Sequence, residues 1–279
     1  MAQPTLFPES GFRRLRIDIA YDGTAFFGWA TQPDHRTIQD LVEQAIAQVS
    51  RGKVQSIVAG RTDAGVHATG QVIHVDLPDA VFIDGFSYAD LRYKLNRILD
   101  EDVRIMEISD APEGFHARFS ALRRIYTYKI LDANEVIPPL SRYDLAPWYR
   151  PLDADLMNKA SALLLGHHDF AAFCKFKEGG TTIRTLEKYQ WQRDETGLLV
   201  AEVVADAFCY SMVRNLVGAV VCVADGRKDP SWVAELLANK ERVSDSLVFP
   251  ARGLSLTRVD YPSEQEMIER AKLTIGKRG

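Results

Sequence analysis

The chain is poor in the features that announce several large protein classes. It has three cysteines in 279 residues, Cys174, Cys209 and Cys222, an odd number with no C-x-x-C spacing. That argues against a disulfide framework and against a cysteine zinc site, and it makes a reducing cytoplasm the simplest home. No apolar run is long enough to span a bilayer, and the N-terminal MAQPTLFPESGFRRLR holds no stretch resembling a signal peptide. There is no G-x-x-x-x-G-K-[ST] loop and no G-x-G-x-x-G after a strand, which sets aside the common nucleotide sites. Neither G-x-S-x-G nor a convincing nucleophilic cysteine setting occurs. His67 and His74 sit across a loop and a strand, a spacing that suits no common zinc pattern, and His74 reads as a hydrogen-bonded structural histidine. His167-His168-Asp169 reads as a solvated region after a helix end. An excess of positive charge is missing too. The net charge is −4, so a polyanionic partner requires basic residues gathered on one face.

What is present is an ordinary globular composition and a clear hydrophobic rhythm. Leu15, Ile17 and Ile19 alternate in a strand over 12–20. Thr37 reads as an N-cap, followed by a helical stripe of Ile38, Leu41, Val42, Ala45, Ile46 and Val49. Strands follow at 54–59 and 71–77. A helix capped by Ser87 and a strand at 103–108 complete the order β-α-β-β-α-β. The second half repeats the order without sequence identity. It has a strand-rich 116–131, a helix over 153–166, two strands around the Glu195-Thr196-Gly197 turn, a long helix from near Tyr210, a shorter one after Asp229-Pro230, and a last strand at 254–261. The pattern is that of an α+β fold of two split β-α-β (βαββαβ) units, which could join side by side into a mixed, mainly antiparallel sheet with a central cleft. Their expected limits are 12–112 and 113–262, with a charged, peripheral C-terminal tail at 263–279.

The segment AGRTDAGVHATGQVIH holds one aspartate, Asp63, on the loop between the middle strands of the first half. Such an aspartate is usually a turn former. Here Arg61 and His67 flank it, and Gly60, Gly65 and Gly70 shape its backbone, which shifts the reading towards a reacting carboxylate. Tyr126 and Tyr128 alternate on one strand face and suit a core. Arg214 falls in the first turn of the long second-half helix among Met212, Val213, Leu216 and Val217, where an arginine needs a carboxylate partner. Arg118, Arg123, Arg124, Lys175, Lys177 and Arg184 make the second half locally basic.

From about Arg16 to Tyr261 the chain resembles the pseudouridine synthase family. The motifs are Tyr21-Asp22-Gly23-Thr24 with Gly28-Trp29, Gly60-Arg61-Thr62-Asp63-Ala64-Gly65-Val66-His67-Ala68, and Phe115-His116-Ala117-Arg118-Phe119-Ser120-Ala121. Arg124-x-Tyr126-x-Tyr128, Met212-Val213-Arg214-Asn215-Leu216-Val217-Gly218 and Gly253-Leu254-Ser255-Leu256 extend the match. Ala30 stands where the family usually has glutamine, and Ser211 where histidine or glutamine often precedes the Met-Val-Arg. The resemblance implies a homodimer of two ferredoxin-like subdomains per chain, with a tRNA-binding cleft. It implies isomerisation of uridine to pseudouridine in the anticodon arm of tRNA, at positions 38 to 40, with no metal or organic cofactor. By motif matching Asp63 is the catalytic carboxylate, Arg214 its partner, Tyr126 the residue stacked on the target base, and Arg61 an aid to extruding the nucleotide. An aspartate can serve as nucleophile at C1′ or at C6, or as base through a glycal, and the residues leave these routes open.

Overall fold

The computed structural model describes residues 5–175, 180–240 and 247–276. It divides into two compact units, one made of Met1–Leu122 with Thr257–Gly279, the other of Arg123–Leu256.

In the first unit β1 (Phe12–Tyr21) lies between β3 (His67–Pro78) and β4 (Val103–Asp110), antiparallel to both. The short β2 (Ile57–Val58) pairs antiparallel with Ile73 and His74 of β3. The order β4-β1-β3-β2, with α1 (Ile38–Ser50) and α2 (Tyr88–Ile98) as the two connections, is the expected ferredoxin-like pattern. Leu15, Ile17, Ile19, Ile73, Val75 and Leu77 are fully buried between strands and helices, each worth roughly 1.5–3 kcal/mol of apolar burial. Ser87 closes a capping box: its hydroxyl accepts from the Asp90 N–H while the Asp90 carboxylate accepts from the Ser87 N–H.

Local polar bonds explain where strand expectations shrink. The strand expected at 54–59 is reduced to two residues because the N–H and hydroxyl of Ser56 both bind the Glu43 carboxylate, at 2.7 and 2.8 Å. Residues 116–122 are turn rather than strand. The His116 N–H donates to the Ser120 hydroxyl, and His116 Nδ1 accepts from the N–H groups of Arg118 and Phe119, so side chains bend the segment.

The second unit carries the antiparallel order β5-β9-β8-β7, from β5 (Arg123–Leu131), β7 (Gly166–Asp169), β8 (Ile183–Arg193) and β9 (Leu199–Ala205). The two-residue β6 (Ala146–Pro147) pairs parallel with β5. Its helices are α3 (Ala154–Ala162), α4 (Met212–Ala224) and α5 (Ser231–Asn239). α4 is apolar on nearly every side, as a helix at the centre of a unit must be. The last strand, β10 (Leu254–Asp260), begins in this unit and ends in the first.

Three expectations are corrected. His167, His168 and Asp169 are not a solvated cap but most of β7, paired with β8 through Thr185, Arg184 and Ile183. The charged tail is a helix, α6 (Glu264–Gly276), which buries Met267 and Ala271 in the first unit. Cys174 and Cys209 form a disulfide, with Cα atoms 5.8 Å apart, and the buried Cys222 takes no part in it. Spacing along the chain gave no sign of that pair. The fold brings it together because the Lys175 N–H donates to the Tyr210 carbonyl.

Candidate active site

The backbone bearing Asp63 leaves β2 at Val58 and rejoins the sheet at His67. Its first part hangs on Thr62. The Thr62 hydroxyl shares a 2.7 Å bond with the Tyr21 phenol, and its carbonyl accepts from the Trp29 N–H at 3.0 Å. The Gln71 amide donates to the Tyr21 oxygen and to the Gly60 carbonyl, at 3.1 and 2.8 Å. Burial pushes the Tyr21 phenol up to about 12 against the opposing bonds from Thr62 and Gln71, so it stays neutral around pH 7.

Asp63 itself opens a tight turn. Its carbonyl accepts from the Val66 N–H at 3.2 Å, and Gly65, third in the turn, has φ +76°, a conformation glycine adopts freely. A segment from an earlier loop buttresses the turn: the Gly65 N–H donates to the Phe26 carbonyl, and Gly28 (φ +94°) lies flat against residues 62–64. The Asp63 side chain is partly buried and Arg61 is exposed on the same loop. His67 is a strut: its Nδ1 accepts from the Gly23 N–H at 3.1 Å and lies 3.1 Å from the Asp22 carboxylate. Burial would raise the Asp22 carboxyl, but the Thr24 hydroxyl and N–H, together with His67, hold it below the usual carboxylate range. His74 is structural as expected, accepting from the Ala117 N–H at 3.0 Å.

Of the glycines read as shaping this loop, Gly70 does something else. A Cβ there would stand 2.1 Å from the Thr257 carbonyl oxygen, so Gly70 admits the close passage of the chain at β10.

In the second unit, Tyr126 lies on β5 opposite Val203, nearly buried, with the Phe208 ring edge-on at 5.1 Å. Tyr128 is a core residue: its hydroxyl donates to the Pro250 carbonyl at 2.5 Å and its ring meets Phe249 at 5.7 Å. Arg214, third in α4, is held at both ends by one residue. Its Nε donates to the Phe249 carbonyl at 2.8 Å, and its own carbonyl accepts from the Phe249 N–H at 3.1 Å. Asn215 fixes the start of the same helix by donating to the Phe173 and Ser211 carbonyls.

The basic residues are less uniform than their clustering in the sequence suggests. Arg124 and Arg184 are buried and donate to backbone carbonyls, Arg124 to Asp206 and Arg184 to Ile183 and Thr181. Arg123 pairs with Glu187 at 3.3 Å. Arg118 and Lys175 remain exposed, and Lys177 lies outside the described residues. Among the described residues no group of three or more His, Cys, Asp or Glu stands where it would hold a metal ion, and no helix is long and apolar enough to cross a membrane.

Residues that sequence reasoning did not single out as supports are Thr62, Gln71, Gly28 and Phe249. Each acts through a bond or contact between distant parts of the chain, for which local spacing carries no signal.

A two-unit α+β fold with one carboxylate on a braced turn fits an RNA-modifying isomerase, and the comparisons identify which: the chain belongs to the tRNA pseudouridine synthase family, whose model matches residues 18–120 and 160–262. It is 51% identical over 265 residues to the tRNA pseudouridine synthase A of Frankia casuarinae, covering 95% of each chain. With the tRNA pseudouridine synthase A of Streptomyces griseus it shares 50% identity over 266 residues, covering 94% of this chain and 93% of that one. With that of Mycobacterium leprae it shares 47% over 270 residues, covering 94% of each. The chain is an isomerase that converts uridine to pseudouridine in tRNA.

Proposed function

We propose that Asp63 is the catalytic carboxylate and that the uridines it isomerises lie in the anticodon stem-loop, at positions 38, 39 or 40. The observation that carries this is the setting of Asp63: a partly buried carboxylate on a loop tied to Tyr21 through the Thr62 hydroxyl, to Trp29 and Gln71 through the Thr62 and Gly60 carbonyls, and to Phe26 through the Gly65 N–H. A turn built only to reverse the chain has no need of such bracing, whereas a reacting group must be held within a fraction of an ångström. The reaction breaks N1–C1′, turns the base, forms C5–C1′, and moves a proton from C5 to N1. Atoms and electrons balance within the substrate, so one positioned carboxylate can carry it.

The remaining roles follow the motif. Tyr126 offers a face for the extruded base, Arg61 helps the nucleotide leave its stack, and Arg214 belongs to the catalytic machinery. The enzyme works as a homodimer in the cytoplasm, where its tRNA substrate is found. Asp63→Asn tests the reading on purified protein and unmodified tRNA. The variant should fold and bind tRNA while turnover falls on the order of 10⁴-fold or more. Pseudouridine formation near the wild-type rate would refute it. Mapping the modified positions on the same tRNA tests the anticodon assignment.

A further inference from the structure

Next to the Asp63 turn stands an exposed pair of rings that the fold itself does not use. Phe27 is 52% exposed, and its ring lies parallel to the His35 imidazole, with centroids 4.1 Å apart and planes 16° apart. The imidazole covers one face of the phenyl ring, and half of the residue's surface is still open to solvent. The preceding residue, Phe26, already fills the core position, buried to 3% and capped by the Arg36 guanidinium at 4.0 Å. Phe27 is thus not a misplaced core residue.

The pair is held ready. The Phe27 N–H donates to the Arg36 carbonyl at 3.0 Å, its carbonyl accepts from the Gln32 side chain at 2.8 Å, and the His35 N–H donates to the Gln32 carbonyl at 3.3 Å. Arg36 is in turn clamped by Asp100 and Asp102. A ring fixed before binding loses little entropy on contact. Its place is also set. Phe26 bonds to Gly65 and Gly28 abuts residues 62–64, so Phe27 is flanked on both sides by residues that touch the Asp63 turn.

We propose that Phe27, backed by His35, is a stacking platform for an unpaired base of the tRNA beside the uridine being isomerised. Extruding the target strips its neighbour of a stacking partner, and an open aromatic face next to the nucleophile loop restores one. A π-face accepts any base, so the platform favours an unstacked neighbour rather than a particular letter. The inference rests on the assignment of Asp63 as the catalytic carboxylate.

The test uses the full chain with tRNA carrying 2-aminopurine, in turn, at each nucleotide flanking the target, and reads both fluorescence and pseudouridine formation. Phe27→Ala should lose about 5- to 150-fold in kcat/KM, the range of one lost base–aromatic stack. Phe27→Leu, which keeps the apolar bulk but has no π-face, should lose a similar factor, while Phe27→Trp retains activity and all three keep the wild-type thermal midpoint. The 2-aminopurine quench on binding should survive Asp63→Asn and vanish in Phe27→Ala. The platform is overturned if Phe27→Ala and Phe27→Leu stay within about twofold of wild type with the quench intact. If Asp63→Asn is active, the assignment of the carboxylate fails, and the quench still decides the platform.

Discussion

Gly28 lies against the backbone of Asp63: a Cβ on Gly28 would stand 3.1 Å from the Asp63 carbonyl carbon and 2.8 Å from the Thr62 carbonyl oxygen. With φ at +94°, the position is closed to other residues by conformation as well as by space. Gly28→Ala should push the loop outwards. Stability should fall by roughly 1–3 kcal/mol, and kcat on the order of 10²-fold, since a displacement near 1 Å is enough for that. Denaturant unfolding and single-turnover kinetics check the two separately. Wild-type kcat in Gly28→Ala would show that the turn does not need its buttress.

Arg214 is gripped by Phe249 through both its Nε and its carbonyl. Lysine keeps the charge but has no Nε to donate and no planar fork. Arg214→Lys should lower kcat on the order of 10²-fold while stability falls by no more than ~3 kcal/mol. A variant with normal kcat and a large stability loss would make Arg214 a purely structural residue.

For Tyr126 the hydroxyl and the ring separate cleanly. Tyr126→Phe should keep base stacking and its edge-on contact with Phe208. Tyr126→Ala should lose about 1–3 kcal/mol of stacking together with roughly 3–5 kcal/mol of stability, because the ring is nearly buried. Single-turnover rates at saturating tRNA, compared with unfolding curves, distinguish the two losses. Equal activity in all three proteins would leave Tyr126 a core residue only.

The buried pair His74 and His116, 4.9 Å apart in the first unit, gives the protein an acid sensitivity of definite sign. Burial, with Arg14 nearby, brings His74 down to about 2 and His116 down to about 4. Both are neutral in the folded protein at pH 6.5, and both take up a proton on unfolding below it. Their contribution to stability is therefore unchanged above about pH 6.5 and falls as pH drops below it, with a combined slope of up to ~2.7 kcal/mol per unit. Urea unfolding at pH 7, 6 and 5 reads the slope, and His74→Gln should flatten it. A stability independent of pH between 7 and 5 would contradict the buried neutral state.

Much of this was legible in the chain. The β-α-β-β-α-β order of the first half, the helix starts after Thr37 and Ser87 and the loop position of Asp63 rest on periodicity and, at Ser87, on capping, which act over a few residues. Where side chains bond the backbone, the pattern fails. Glu43 takes the Ser56 backbone from its ladder, and His116 bends the segment expected to be strand. Arg124 and Arg184 count towards a basic second half in the sequence because their charge is visible there and their burial is not. The α6 tail misled because charged residues dominate its sequence, while Met267 and Ala271 are too few to mark a buried helix.

The division of β10 has a consequence for synthesis. The first unit consists of Met1–Leu122 and Thr257–Gly279, so its final strand residues and α6 are made only after all of Arg123–Leu256. At ribosomal speeds that wait is on the order of ten seconds. Throughout it, the stretch of β3 around Gly70, which receives the chain at Thr257, has no neighbour on that side. An open strand edge on a nascent chain invites wrong pairing. The interrupted unit is thus the part of the newborn protein most in need of shelter, and a ribosome stalled before Thr257 would display it longest.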